Sequence, residues 1–228
     1  MPHDPAQMDE AAVRDMQHDD LARHRAMTEP YLQELHGIYL EVFPGVWEPG
    51  RTDGELLAEH LPAGQAILDA TTGCGITACL AGLAGCFGLA LDINPAAVAN
   101  ANTNFARHDV PFQALVSNGL AALPDTARFD VIVANPPYLE GDIPDLVAHA
   151  FYGLRDFLDD LFAQGHHHLK NGGSMLITMA EWGPVDLYEA LGAGHGWTYD
   201  RVAVRTSDDG RRAYRLDRWT YPSSEDTA

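Results

Sequence analysis

From Gln65 to Met179 short apolar runs alternate with helical stretches, and this pattern restricts the fold more than any other feature of the chain. A strand followed by a helix rejoins the same sheet only by crossing over it, so successive units of this kind build parallel strands with helices on both faces. The apolar runs predict strands at Ala66–Asp69, Phe87–Asp92, Phe112–Val116, Val131–Ala134 and Ser174–Met179. Between them the spacing predicts helices at Ile76–Leu83, Pro95–Arg107, about Asp145–Tyr152 and Leu154–Leu169. Pro95 suits a first helical turn, where its missing N–H would have no partner anyway. The tail predicts a helix at Val185–Leu191, a strand at Thr198–Val204, a turn at Ser207-Asp208-Asp209-Gly210 and a strand at Ala213–Tyr221. The expected fold is therefore α/β: a doubly wound, Rossmann-like, mostly parallel seven-stranded sheet closed by antiparallel strands.

Ahead of this pattern, Val13, Met16, Leu21, Met27, Tyr31, Leu35 and Ile38 are interleaved with charge and predict amphipathic helices over Asp9–Leu40, broken near Pro30. Residues 1–48 are expected to form a short helical lid or substrate segment, and residues 49–228 the main domain. The turn-rich Phe43–Gly50 stretch would then lead into a helix at Asp53–Leu61, capped by Thr52 or Asp53.

No apolar stretch is long enough to span a bilayer and the start lacks a signal-peptide pattern, so a cytoplasmic chain with no membrane partner is expected. With 14 Lys and Arg against 33 Asp and Glu, the formal charge is −19, which opposes a phosphate backbone. A small-molecule substrate and no nucleic acid are the expected partners; the oligomeric state is left open. Arg211, Arg212, Arg215 and Arg218 lie beside Asp208, Asp209 and Asp217 and suggest a solvated, charge-mixed hairpin. Cys74, Cys79 and Cys86 suit small core positions, and no metal site is expected. His166-His167-His168 points its rings in different directions on a helix, which fits a helix end better than an ion.

Four stretches carry chemistry. In Ile67–Gly75 an acid, Asp69, ends a strand, and Thr71, Gly73 and Gly75 form a turn where backbone can approach a ligand. The next strand ends at Asp92, followed by Ile93, and a carboxylate there can accept hydrogen bonds from both hydroxyls of a ribose. Ser117 and Asn118, after the third strand, offer groups for an adenine edge. Asn135-Pro136-Pro137-Tyr138 ends the fourth strand: Asn135 would present an acceptor oxygen, and Pro136, which donates no N–H, leaves its carbonyl free. Two such acceptors can hold an attacking nitrogen, with Tyr138 stacked on a planar substrate.

In this order, Asp69 to Gly75, Asp92, Asn118 and Asn135 to Tyr138 resemble the class I S-adenosylmethionine-dependent methyltransferases that modify planar nitrogen. Glu181-Trp182-Gly183 and the Pro49–Leu57 approach are similar to the release-factor glutamine methyltransferases within that group, although a shorter segment replaces their N-terminal substrate domain. The resemblance implies S-adenosylmethionine as cofactor, held by Asp69, Thr71, Gly73, Gly75, Asp92, Ile93, Asn118 and Asn135. Asn135, Pro136 and Tyr138 would serve catalysis, with Tyr31, Tyr39, Trp47 and Glu181 facing the substrate. The expected activity is N-methylation of a small amino, amide or guanidino compound in specialised metabolism. Methylation of protein glutamine, cyclisation of S-adenosylmethionine to azetidine-2-carboxylate and a non-catalytic adenosyl-binding subunit are the alternatives.

Overall fold

The computed structural model describes residues 10–50, 52–208 and 210–222, with side chains from residue 18 onward. Asp9, Asp209 and the side chains of Val13 and Met16 lie outside this description. Helix α1 (Glu10–Ala26) is followed by a hairpin of β1 (Tyr31–Leu35) and β2 (Ile38–Val42), so the helical expectation for the second half of this segment fails. His36 and Gly37 sit at φ 52° and 79°, the two left-handed residues of a type I′ turn, whose twist matches that of paired strands. Leu35, Leu40 and Val42 turn inward while Leu32 and Tyr39 stay more than half exposed, an alternation of period two that the interleaved charges disguise as helical.

The hairpin is tied to the main sheet by asparagines on α4 (Pro95–His108), which follows α2 (Asp53–Ala58), β3 (Ala66–Asp69), α3 (Ile76–Leu83) and β4 (Phe87–Asp92). Asn100 and Asn104, one helical turn apart and fully buried, both donate to the Glu41 carbonyl at 2.7 and 2.8 Å. Their side-chain oxygens accept the N–H groups of Phe43 and Glu41, and Asn104 also donates to the Cys74 carbonyl. A buried amide with every group paired stabilises, whereas an apolar residue there would orphan strand backbone.

The chain continues through β5 (Phe112–Val116), β6 (Phe129–Ala134), α5 (Leu154–Gln164), β7 (Leu169–Ala180), α6 (Val185–Gly194), β8 (Thr198–Thr206) and β9 (Ala213–Thr220). The seven-stranded sheet has the order β5-β4-β3-β6-β7-β9-β8. Its first five strands are parallel, and β9 runs antiparallel to both its neighbours. Along β6, Ile132 and Ala134 join Leu158, Phe162 and Trp219 in one core, while Val131 and Val133 join Leu56 and Leu57 in another. Both faces are thus covered, which explains why the central strands β3 and β6 are almost wholly apolar. Cys74, Cys79 and Cys86 are buried free thiols.

Three expectations change. The helix at 145–152 reduces to one 3₁₀ turn at Ala148–Ala150, because the preceding chain folds back and Leu139 pairs with Phe151 and Tyr152. The helix predicted to reach Leu169 ends at Gln164, and His166 to His168 form a 3₁₀ turn in which His166 stacks on Tyr221. Arg215 and Asp217 are not solvated: both are 0% exposed and form an ion pair at 2.6 Å. Central placement of β9 puts this pair under α6, where Arg215 also meets Glu189 at 2.7 Å.

Gly192 of α6 sits directly over Trp219, and a Cβ there would lie 2.2 Å from the indole. Gly192→Ala is therefore expected to cost about 2 kcal/mol of stability through overpacking, read as a fall in chemical-denaturation midpoint. An unchanged midpoint would mean that α6 can shift at no cost.

Candidate active site

The strand order reverses between β3 and β6, and in open α/β sheets the crevice at that switch is where ligands bind. A cavity of about 590 Å³ lies there, lined among others by Gly73, Asp92, Asn118, Asn135, Asp53 and Trp47. Gly73 adopts φ 54° and a Cβ on it would meet nothing within 4 Å, so the turn presents bare backbone to open space. Its N–H donates to Asp92 Oδ2 and that of Asn94 to Asp92 Oδ1, both at 2.9 Å. Each oxygen retains a lone pair for a ribose hydroxyl. Burial raises the Asp92 carboxyl above its ordinary range, opposed by the N–H groups of Asn94 and Gly73 and by His149.

Of the residues expected to hold a cofactor, Thr71, Gly73, Asp92, Ile93, Asn118 and Asn135 line the cavity, whereas Asp69 and Gly75 do not. Asp69 is 2% exposed behind the turn, and burial pushes its carboxyl up to about 7. Gly75, at φ 92°, presses against Phe105 and Ala101 of α4, where a Cβ would approach within 2.8 Å. These two shape the loop from behind. Ser117 spends its hydroxyl on Gly119 and Ala122 within the following turn, leaving Asn118 exposed at the cavity.

At the other end of the cavity, the Asn135 N–H donates to Thr71 Oγ1 at 2.8 Å, joining the two loops. Its Nδ2 donates to Asp53 Oδ2 at 2.9 Å, and its Oδ1 accepts from Thr178 at 2.8 Å and from the Tyr138 hydroxyl. The Tyr138 ring meets Trp182 edge-on and Tyr214 at a tilt, and it does not line the cavity. Burial and the Asp53 carboxylate hold its phenol well above the usual range. Pro136 is buried and Pro137 lines the cavity instead. Asp53 is the residue that sequence reasoning missed as a site member, because an acid at a helix start is indistinguishable from a cap.

Among the expected substrate residues, only Trp47 reaches this cavity. Tyr31 and Tyr39 belong to the hairpin, with Tyr39 on its outer face, and Glu181 turns toward Arg201 at 3.8 Å. Trp47 stacks on His24 of α1 at 3.9 Å and meets Phe151 edge-on at 4.2 Å. His24 Nε2 accepts the Glu48 N–H at 2.8 Å, which places the ring proton on Nδ1, donated to the Asp20 carbonyl at 2.7 Å. Burial, helped by Arg23, lowers the His24 pKa, against the opposing pull of Asp20 and Glu48. A histidine depressed by folding stabilises above its unfolded value of about 6.5 and loses that contribution as pH falls through the folded value. Melting temperature is expected to fall more for wild type than for His24→Phe between about pH 7.5 and 5; equal losses would exclude this latch.

A doubly wound sheet with a carboxylate ending the second of its parallel strands, a bare glycine turn and an Asn-Pro-Pro-Tyr corner defines a class I S-adenosylmethionine-dependent methyltransferase. The chain belongs to the methyltransferase small domain family, whose model matches residues 39–186. It is 34% identical over 187 residues to a release factor glutamine methyltransferase of Koribacter versatilis, covering 70% of this chain and 66% of that protein. It is 29% identical over 150 residues to ribosomal RNA small subunit methyltransferase C of Photorhabdus laumondii, covering 63% of this chain but 41% of that one. The chain thus spans less than two thirds of these relatives' lengths. The solved T. thermophilus 16S rRNA N2 methyltransferase, in complex with S-adenosylmethionine and guanosine, shares the fold with a TM-score of 0.63 at 22% identity, over 85% of this chain and 50% of that one.

The exclusion of nucleic acid is corrected by these matches, because relatives named for ribosomal RNA belong to the same set. Net charge alone does not decide the partner. The open Gly73 cradle and the free lone pairs of Asp92 fit S-adenosylmethionine, which is the cofactor of this class. Among the described residues no helix is long and apolar enough to cross a membrane.

Proposed function

We propose that the chain methylates an uncharged planar N–H, of the kind found in a carboxamide or in the exocyclic amine of a nucleobase. The supporting observation is the Asn135 carboxamide, held on three sides by Asp53, Thr178 and Tyr138 at the end of the cofactor cavity. S-adenosylmethionine, when bound, supplies an electrophilic methyl group on a sulfonium. Asp92 would hold its ribose, the Gly73 turn would lie against its amino-acid part and Asn118 would meet the adenine. What remains for the protein is to present the nitrogen lone pair in line with the methyl group, and positioning of this kind supplies a large share of acceleration. The matched proteins are named for a release factor glutamine and for ribosomal RNA, and the solved structure's name specifies N2 in 16S rRNA. A free nucleoside or small amide meets the same requirement.

The test is transfer of labelled methyl from S-adenosylmethionine to guanosine, ribosomal RNA and a glutamine-containing peptide. Label in one of these, with S-adenosylhomocysteine formed only when the acceptor is present, is the expected result. Transfer to none of them would overturn the acceptor class. Methylthioadenosine accumulating from S-adenosylmethionine alone would establish the cyclising alternative.

A further inference from the structure

We infer that Asp160, on the side of α5 that lines the cofactor cavity, accepts an N–H of the adenine 6-amino group and makes the site selective for an adenosyl ligand. The inference rests on the cofactor placement above. Strand order sets the direction in which the cofactor runs, since Asn135 follows β6, the Gly73 turn follows β3, Asp92 ends β4 and Asn118 follows β5, and these four strands are successive neighbours. With the ribose at Asp92, the base lies one strand further on, at the Asn118-Gly119 turn.

An adenine edge needs partners of both kinds there, because its ring nitrogen accepts while its 6-amino group carries two N–H donors. The single carboxamide of Asn118 can pair with the ring nitrogen and one N–H, which leaves the second N–H unmet. An acceptor is missing from β5.

Helix α5 brings it. Leu154, Leu158, Leu161 and Phe162, each at most 1% exposed, anchor the helix in the core, while Asp156, Asp160 and Gln164 follow one another by single helical turns along the cavity. Asp160 reaches the β5 turn itself: a Cβ on Gly119 would lie 2.3 Å from its Oδ2, so glycine at that position leaves the carboxylate room beside Asn118. Among the described residues beyond its chain neighbours, that Cβ would meet nothing else within 4 Å, so Asp156 does not share the contact. Asp160 Oδ1 accepts from Gln164 Nε2, which orients the group, and Oδ2 has no hydrogen-bond partner among the described residues. Two acids one turn apart repel each other along a helix, so this stripe does nothing for α5 alone. An ionised carboxylate only accepts, and it therefore suits the amine and cannot serve the ring nitrogen.

S-adenosylhomocysteine and its purine analogue, in which hydrogen replaces the 6-amino group, read this contact with no methyl acceptor present. Calorimetry is expected to show Asp160→Ala weakening S-adenosylhomocysteine about tenfold, the scale of one charge-assisted hydrogen bond, with the purine analogue nearly unchanged. Asp160→Asn retains a neutral acceptor oxygen and should fall between the two. Equal weakening of both ligands would mark Asp160 as structural and overturn the assignment. Unchanged S-adenosylhomocysteine affinity in a folded Asp160→Ala would overturn it too, as would amine selectivity lost in Asp156→Ala instead. Asp92→Ala tests the underlying placement separately: equal weakening of both ligands supports the ribose contact, and weakening of neither overturns it. The role of Asp160 is decided by the difference between the two ligands.

Discussion

Asn135→Ala is expected to lower turnover about a hundredfold, close to 2.7 kcal/mol of transition-state stabilisation, while S-adenosylhomocysteine affinity changes little. The separation follows from where its bonds go. The backbone N–H that joins the loop to Thr71 survives the substitution, so the wall of the cofactor cavity is retained. The lost carboxamide instead releases Asp53 Oδ2, the Thr178 hydroxyl and the Tyr138 hydroxyl, away from the Gly73 turn and Asp92. Unpaired buried groups also cost about 1–3 kcal/mol of stability, so a lower melting temperature accompanies the kinetic loss. Single-turnover rates with whichever probe wild type methylates, alongside calorimetry, provide the check. Turnover and affinity falling together would make Asn135 a structural residue, and full turnover would remove it from the reaction.

Sequence periodicity carried the main sheet well because the strands from β3 to β6 are mostly apolar and are separated by turn residues, which leaves little competition for their assignment. It failed over Tyr31–Val42, where His36-Gly37 acts as a hairpin turn without the Asn-Gly or Asp-Gly that usually announces one. Reading β9 as a solvated hairpin arm failed for a different reason. Arg215 and Asp217 carry full charges, yet strand order places β9 between β7 and β8, and nothing local to the segment encodes that insertion. At the site, the motif residues reached the cavity where their role depends on backbone, as with Gly73 and Ile93, or on a strand end, as with Asp92. Asp69, Gly75 and Tyr138 carry motif positions but turn away from the opening, because a motif preserves the shape of a loop as well as its contacts. Asp53 lies 82 residues before Asn135, and only the packing of α2 over the sheet brings the two together.

Asp92→Ala is expected to weaken S-adenosylhomocysteine by about a hundredfold, the upper part of the range for charge-assisted hydrogen bonds to two hydroxyls. The carboxylate has a second duty that enlarges the effect: it receives the N–H of Gly73 across the cavity and that of Asn94 below it. Alanine would orphan both donors and loosen the glycine turn against which the ligand lies. Asp92→Asn keeps one acceptor oxygen and should lose about tenfold, because a neutral acceptor forms roughly half as strong a bond. The sign of the pH dependence is fixed by the same geometry. Burial raises the Asp92 carboxyl, so protonation begins at a higher pH than for an ordinary aspartate, and the protonated group no longer accepts at both oxygens. Affinity in wild type should therefore fall as pH decreases through that raised value, and Asp92→Asn should flatten this dependence. Calorimetry across pH, with circular dichroism to establish that each variant is folded, tests the argument. A folded Asp92→Ala that binds S-adenosylhomocysteine as tightly as wild type would remove Asp92 from the cofactor site and leave it as a brace between the Gly73 turn and α4.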